Sequence, residues 1–202
     1  KSGTFKAFHY FTVYWESRPP NEVYINGEQV DVKYEYTFNR NDNSIKLVWN
    51  QILGTAYNMF LDCYDISEID LSNFDSSEIT ITTMYGMFEN CKSLAAINFQ
   101  NSDTSKVTTM QYMFDDCKSL TSINLSNFNT KNVVDFDSMF GGCETLSSLD
   151  LSNFDTSNAK VLSSMFMFCS NLKSLDLSNF NTKKVTIMQK ELINLILLIF
   201  LI

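Results

Sequence analysis

The sequence predicts a mainly β solenoid, in which each repeat of about 26 residues supplies one short strand and one short helical or 3₁₀ turn, preceded by a small antiparallel β unit. Three observations carry that prediction. Met-Phe pairs recur at 59–60, 87–88, 113–114, 139–140 and 165–166. A cysteine stands three positions after each Phe, at Cys63, Cys91, Cys117, Cys143 and Cys169, with spacings of 28, 26, 26 and 26. Counting on from each Cys, apolar residues fall at +3 (Ile66, Leu94, Leu120, Leu146, Leu172), at +6 (Ile69, Ile97, Ile123, Leu149, Leu175) and at +8 (Leu71, Phe99, Leu125, Leu151, Leu177).

Each element follows from this register. Residues +6 and +8 are two apart, so they share one face of a strand while the polar residue between them faces the other way. After the strand comes Ser-Asn-Phe, then Asp or Asn, then Thr or Ser, at 72–76, 126–130, 152–156 and 178–182, with the degenerate Gln-Asn-Ser-Asp-Thr at 100–104. Next come Ile79, Val107, Val133, Ala159 and Val185, then Met110, Phe136, Leu162 and Met188 three residues after the last four, and the next Met-Phe. Spacings of three and four in that stretch suit a short helical or 3₁₀ turn on the opposite wall. The first full unit carries two extra residues within 78–83, a bulge or loop. No single unit can bury this apolar set alone, so neighbours must stack at roughly 4.8 Å per rung around a shared core.

Residues 1–44 do not repeat. Thr4–Trp15 is aromatic with period-two alternation, Val23–Ile25 runs into Asn26-Gly27, and Val30, Val32, Tyr34, Tyr36 and Phe38 alternate with polar residues. Asn-Gly is the type I′ hairpin dipeptide because both central residues need positive φ. This region reads as a β cap on the first rung or as the end of an upstream β domain. The array then spans 45–190, about five rungs, with Ile45–Trp49 as the strand of a leading half-unit. Residue 1 is Lys, which reads as a mature end or a cut through a longer protein. Residues 191–202 form an apolar tail shorter than the ~20 residues that span a bilayer. Three readings of it stay open: a truncated membrane span, a segment covering the last core, and sequence from a broken reading frame.

Composition bounds function. With 15 Lys+Arg against 23 Asp+Glu the net charge is −8, which argues against binding nucleic acid or an anionic membrane surface. The one histidine, His9, leaves no second imidazole for a metal site. No nucleophile–base pair, Gly-rich phosphate loop or metal cluster is visible, so the sequence calls for no enzyme activity, metal or cofactor. One Cys per repeat at fixed register reads as a buried ladder of free thiols rather than as disulfides. The Met-Phe column reads as core. Asn73, Asn101, Asn127, Asn153 and Asn179 form a second structural ladder, each expected to satisfy backbone groups at the turn leaving its strand. Asp75, Asp103, Asn129, Asp155 and Asn181 fit an Asx-turn role.

The column Asp70, Asn98, Asn124, Asp150 and Asp176 lies between the inward +6 and +8 residues and therefore faces outward. With the flanking Glu68 and Lys173 it is the candidate partner-binding row, and the alternative is a solvated face. Asn124-Leu125-Ser126 is a glycosylation sequon placed within a strand, where attachment is not expected.

The string C-x-x-L-x-S-[LI]-[DN]-L-S-N-F-[DN]-T-x-x-V-x-x-M-x-x-M-F over about residues 52–189 resembles the BspA-like leucine-rich repeats of surface proteins in host-associated bacteria and parasitic protists. The resemblance implies an extracellular, usually surface-attached protein whose repeats bind host or neighbouring-cell proteins, with membrane attachment through the tail or through parts outside this sequence. Phe74, Phe128, Phe154 and Phe180 stand where the usual leucine-rich pattern has Asn, and Asn comes one residue earlier. The resulting expectation is a non-enzymatic, adhesin-like surface protein that binds protein partners through its repeats. A structural spacer holding another domain away from a cell surface is the alternative.

Overall fold

A computed structural model describes residues 3–6, 20–33, 35–38, 45–48, 54–71, 81–100 and 102–187. Its regular structure is all strand: β1 (Gly3–Lys6), β2 (Glu22–Ile25), β3 (Glu28–Val30), β4 (Glu35–Phe38), β5 (Ile45–Val48), β6 (Glu68–Asp70) and β7 (Ala96–Asn98). The sheets are small, and among the described residues none closes into a barrel and there is no helix.

In the N-terminal region β1 pairs antiparallel with β4, and β2 lies between β3 and β5, antiparallel to both. Asn26 (φ 53°) and Gly27 (φ 85°) both occupy the left-handed region, as a type I′ turn between β2 and β3 requires. The strand at 45–48 hydrogen-bonds to β2, so it belongs to this sheet, while Leu47 packs against the core of the repeats and joins the two.

Among the described residues from 54 to 187, like positions of successive repeats pair in parallel. β6 pairs with β7, with Ile69 opposite Ile97. A second line of parallel bridges runs Thr83, Thr109, Asp135, Val161, Ile187, one residue per repeat. One continuous core runs from Ala56 to Leu177. In it the rings of Phe60, Phe88, Phe114, Phe140 and Phe166 stack with centroids 5.4–5.8 Å apart and nearly parallel planes. Such stacking adds to the area each ring buries, and no repeat can supply it alone.

Of the one strand and one helical or 3₁₀ turn expected in each repeat, the strand forms only at Glu68–Asp70 and Ala96–Asn98, with no strand at 121–125, 147–151 or 173–177, and the helical or 3₁₀ turn is not formed. The Met-Phe-Cys segment is a run of tight turns, with positive φ at Asn58 and Asp62, at Gly86 and Asn90, at Tyr112 and Asp116, at Ser138 and Gly142, and at Ser164 and Phe168. The reason lies in the hydrogen bonds. The N–H groups of Asn58, Phe60 and Asp62 donate to the carbonyls of Tyr85, Met87 and Glu89 at 2.8–2.9 Å, while Met59, Leu61 and Cys63 donate three residues back within the turn. A helix would aim all six along its own axis. Here alternate groups link one repeat to the next, and the pattern recurs from Gly86, Phe88 and Asn90 to Gln111, Met113 and Asp115. Spacings of three and four therefore record burial of Met59, Phe60 and Cys63, not helical periodicity.

Candidate functional site

The strand row is the first candidate surface. Glu68, Asp70, Asn98, Asn124, Asp150, Lys173 and Asp176 are all exposed, in line with the outward direction their register gives them. Their side chains also do local structural work. Asn98, Asn124, Asp150 and Asp176 each accept a hydrogen bond from the backbone N–H two residues on, at Gln100, Ser126, Ser152 and Ser178, at 2.9–3.1 Å. These are Asx turns that end the extended segment of each repeat. Hydrogen bonds from the backbone N–H and hydroxyl of Ser152 hold the Asp150 carboxyl below the usual carboxylate range, and those from the hydroxyl and N–H of Ser178 do the same for Asp176. The second column behaves likewise: Asp103, Asn129, Asp155 and Asn181 accept from Ser105, Lys131, Ser157 and Lys183.

The asparagine column reaches further than the turn it follows. Asn153 Nδ2 donates to the carbonyls of Leu125 (3.0 Å) and Phe128 (2.8 Å) in the preceding repeat, and Asn179 Nδ2 does the same to Leu151 and Phe154. Asn127 Nδ2 donates to Gln100 O at 2.6 Å. Asn73 and Asn101 lie outside the described residues. Beside this column the buried hydroxyls of Thr104, Thr130 and Thr156 each accept an N–H from, and donate to a carbonyl of, the following repeat. Asn127, Asn153, Asn179 and the three threonines thus spend their polar groups on the backbone of a neighbouring repeat.

The cysteines are free. Cys91, Cys117, Cys143 and Cys169 each donate Sγ–H to the carbonyl of a Phe one repeat earlier, Phe60, Phe88, Phe114 and Phe140, at 3.0–3.2 Å. Burial pushes the thiols of Cys91, Cys117 and Cys143 well up and that of half-buried Cys169 up to about 11, so thiolate chemistry near neutral pH is suppressed. Among the described residues no group of three or more His, Cys, Asp or Glu converges to hold a metal ion. His9 lies outside them, as does the tail at 191–202. Among the described residues no helix is long and apolar enough to cross a membrane.

A second surface, unmarked by the sequence reading, lies on the turn wall. Tyr57, Tyr85 and Tyr112 form a row in which Tyr57 and Tyr85 stack face to face at 4.8 Å and Tyr85 meets Tyr112 edge-on at 5.5 Å. Beyond the effect of partial burial, Asp137 and Asp115 lie near enough to Tyr112 to raise its hydroxyl. Partial burial, then the charges of Asp116, Glu89 and Asp137, raise the Asp115 carboxyl to about 7. Partial burial and the charges of Asp62 and Asp116 raise Glu89 as well. Gln111 Nε2 donates to Asp137 Oδ2 at 3.1 Å, and Lys118 bridges Glu144 (2.6 Å) and Asp116 (3.7 Å). A legible signal did exist: the turn wall repeats Asn, Asp and Gly at 58, 62, 86, 90, 116 and 142, the residue types that enter the left-handed region most readily.

These features define a mainly β protein of stacked sequence repeats, with polar ladders joining repeat to repeat and two distinct solvent-facing walls. The chain belongs to the family described as Mycoplasma protein of unknown function, DUF285, which it matches over residues 43–96, 54–150 and 82–195. No curated protein and no solved structure matches the chain.

Proposed function

We propose that the chain is a leucine-rich-repeat solenoid of the BspA-like kind, and that it serves as a non-enzymatic, extracellular surface protein binding protein partners through its repeat array. The observation that supports this reading most is the parallel pairing carried through Thr83, Thr109, Asp135, Val161 and Ile187. Parallel stacking of like units produces extended, regular walls, and proteins built this way bind through such walls. On the strand wall, Glu68, Asp70, Asn98, Asn124, Asp150, Lys173 and Asp176 are the contact residues of the reading. Buried thiols of raised pKa leave the cysteines in a packing role.

The test is binding of the whole chain to a panel of extracellular-matrix and plasma proteins by surface plasmon resonance. Saturable binding to a panel member supports the reading. A folded, monomeric chain that binds no member would favour the spacer alternative. Asp150→Asn with Asp176→Asn removes charge from the strand wall while keeping the Oδ1 that accepts from Ser152 and Ser178. Loss of binding in that variant assigns the contact to the strand wall, and retention assigns it elsewhere.

A further inference from the structure

We propose that residues 188–201, which lie outside the described part of the chain, form one more unit seated in register on the repeat at 162–187. The apolar tail is then the occupant of the end face of the stacked repeats. The inference goes beyond the proposed function and does not depend on partner binding.

The described residues already begin that unit. Ile187 bridges in parallel to Val161, as Val161 does to Asp135. The N–H groups of Thr186 and Ile187 donate to Lys160 O at 2.8 and 3.2 Å, and Leu162 N–H donates to Ile187 O at 3.2 Å. The repeat beneath has an apolar face to cover. Phe140, Cys143 and Leu146 are fully buried under the following repeat, whereas Phe166, Cys169 and Leu172, in the same columns, are only partly buried. The tail carries the matching side chains at the matching spacing. Counting 26 on from Leu162, Phe166, Cys169, Leu172 and Leu175 gives Met188, Leu192, Leu195, Leu198 and Leu201, every one apolar. Backbone groups ask for the same register. Phe140 and Gly142 donate N–H to the carbonyls of Met165 and Met167, 25 residues on, so Phe166 and Phe168 call for the carbonyls of Glu191 and Ile193. A segment joined to the edge through Ile187 also meets it at an effective concentration far above that of a second copy in dilute solution.

Two variants of the whole chain, matched in composition, test the register. Leu192→Ser with Leu195→Ser alters the positions that fall on Phe166 and Cys169, and Ile193→Ser with Ile196→Ser alters their neighbours. The readout is the rate at which a thiol reagent modifies Cys169, with Cys143 as the internal reference, followed by peptide mass spectrometry. The first pair should raise the Cys169 rate on the order of tenfold and leave Cys143 unchanged, because it uncovers one face without unfolding the rest. The second pair should change neither rate. Equal effects of the two pairs, or no effect of the first, overturn the proposal, since a tail that enters a bilayer or clings without register does not distinguish them. Cosedimentation with phosphatidylcholine vesicles that both pairs weaken alike overturns it too. Hydrogen exchange on the unsubstituted chain decides the matter even where the first pair fails to fold. The amides of Phe166 and Phe168 should be protected like those of Phe140 and Gly142, and exchange at unfolded rates overturns the proposal. Protection found only in a dimer assigns the end face to a second copy and overturns it as well.

Discussion

Replacing Asp115 with Asn should make the protein more stable at neutral pH and remove much of its pH dependence. Asp115 sits half-buried among Asp116, Glu89 and Asp137, and its carboxyl is raised from 3.8 to about 7. A group whose pKa is raised by folding binds more protons in the folded state. Its contribution to stability is fully present below the unfolded value and is lost as pH rises through the folded one. The window therefore runs from about 4 to about 7, and stability should fall across it as pH increases. Raising the carboxyl from 3.8 to about 7 corresponds to about 4 kcal/mol without screening. Asp115 keeps substantial solvent contact, so screening reduces the expected effect to ~1–2 kcal/mol. Urea midpoints of wild type and Asp115→Asn between pH 4.5 and 8.5 measure it. The two should agree near pH 4.5 and diverge by that amount at pH 8, the variant being the more stable. Glu89 and Asp135 are raised too and add slope of the same sign in both proteins. Asp150, Asp155 and Asp176 are lowered, so their contribution disappears only below the ordinary carboxylate range and does not confuse the window. Parallel profiles for the two proteins would refute the reasoning.

Four further outcomes follow from the ladders. Phe114→Ala removes the ring stacked between Phe88 and Phe140 and should cost about 3–5 kcal/mol, with hydrogen-exchange protection lost in the repeats on both sides. Asn153→Ala strands the carbonyls of Leu125 and Phe128 and should cost ~1–3 kcal/mol, more than Asp150→Ala, which frees one exposed N–H; thermal unfolding ranks them. Phe168 is 70% exposed at φ 61°, where its column otherwise carries Asp, Asn or Gly, so Phe168→Asn should raise stability by about 1 kcal/mol in the same assay. A thiol reagent at pH 8 should modify half-buried Cys169 in the native protein well before Cys91, Cys117 and Cys143, with equal rates only after unfolding.

How much was legible in the residues differs between the core and the walls. Burial of Met59, Phe60 and Cys63 and their successors could be read directly, because a residue that must be shielded in every repeat recurs as the same type in every repeat. The Asn26-Gly27 hairpin was equally legible, since its positive φ values are a local demand met by local residue types. Pairing of β5 with β2 was not, because which strand a segment joins depends on partners distant in sequence. A helical turn and a run of tight turns are not distinguishable in the residues, because both bury apolar side chains at the same spacings and differ only in where their N–H groups point.

By itself the sequence determined the repeat length and the apolar columns that build the core, both set by periodic exclusion of water. Only the tertiary structure decided what the polar columns do. A side chain such as Asn153 or Thr130 has its partners about one repeat away, and Asp150 has its partner two residues on, yet in sequence both look like outward polar groups. The acidic tyrosine wall appeared only in three dimensions for the same reason: Tyr57, Tyr85 and Tyr112 stand 28 and 27 residues apart in the chain, and stacking alone brings their rings into contact.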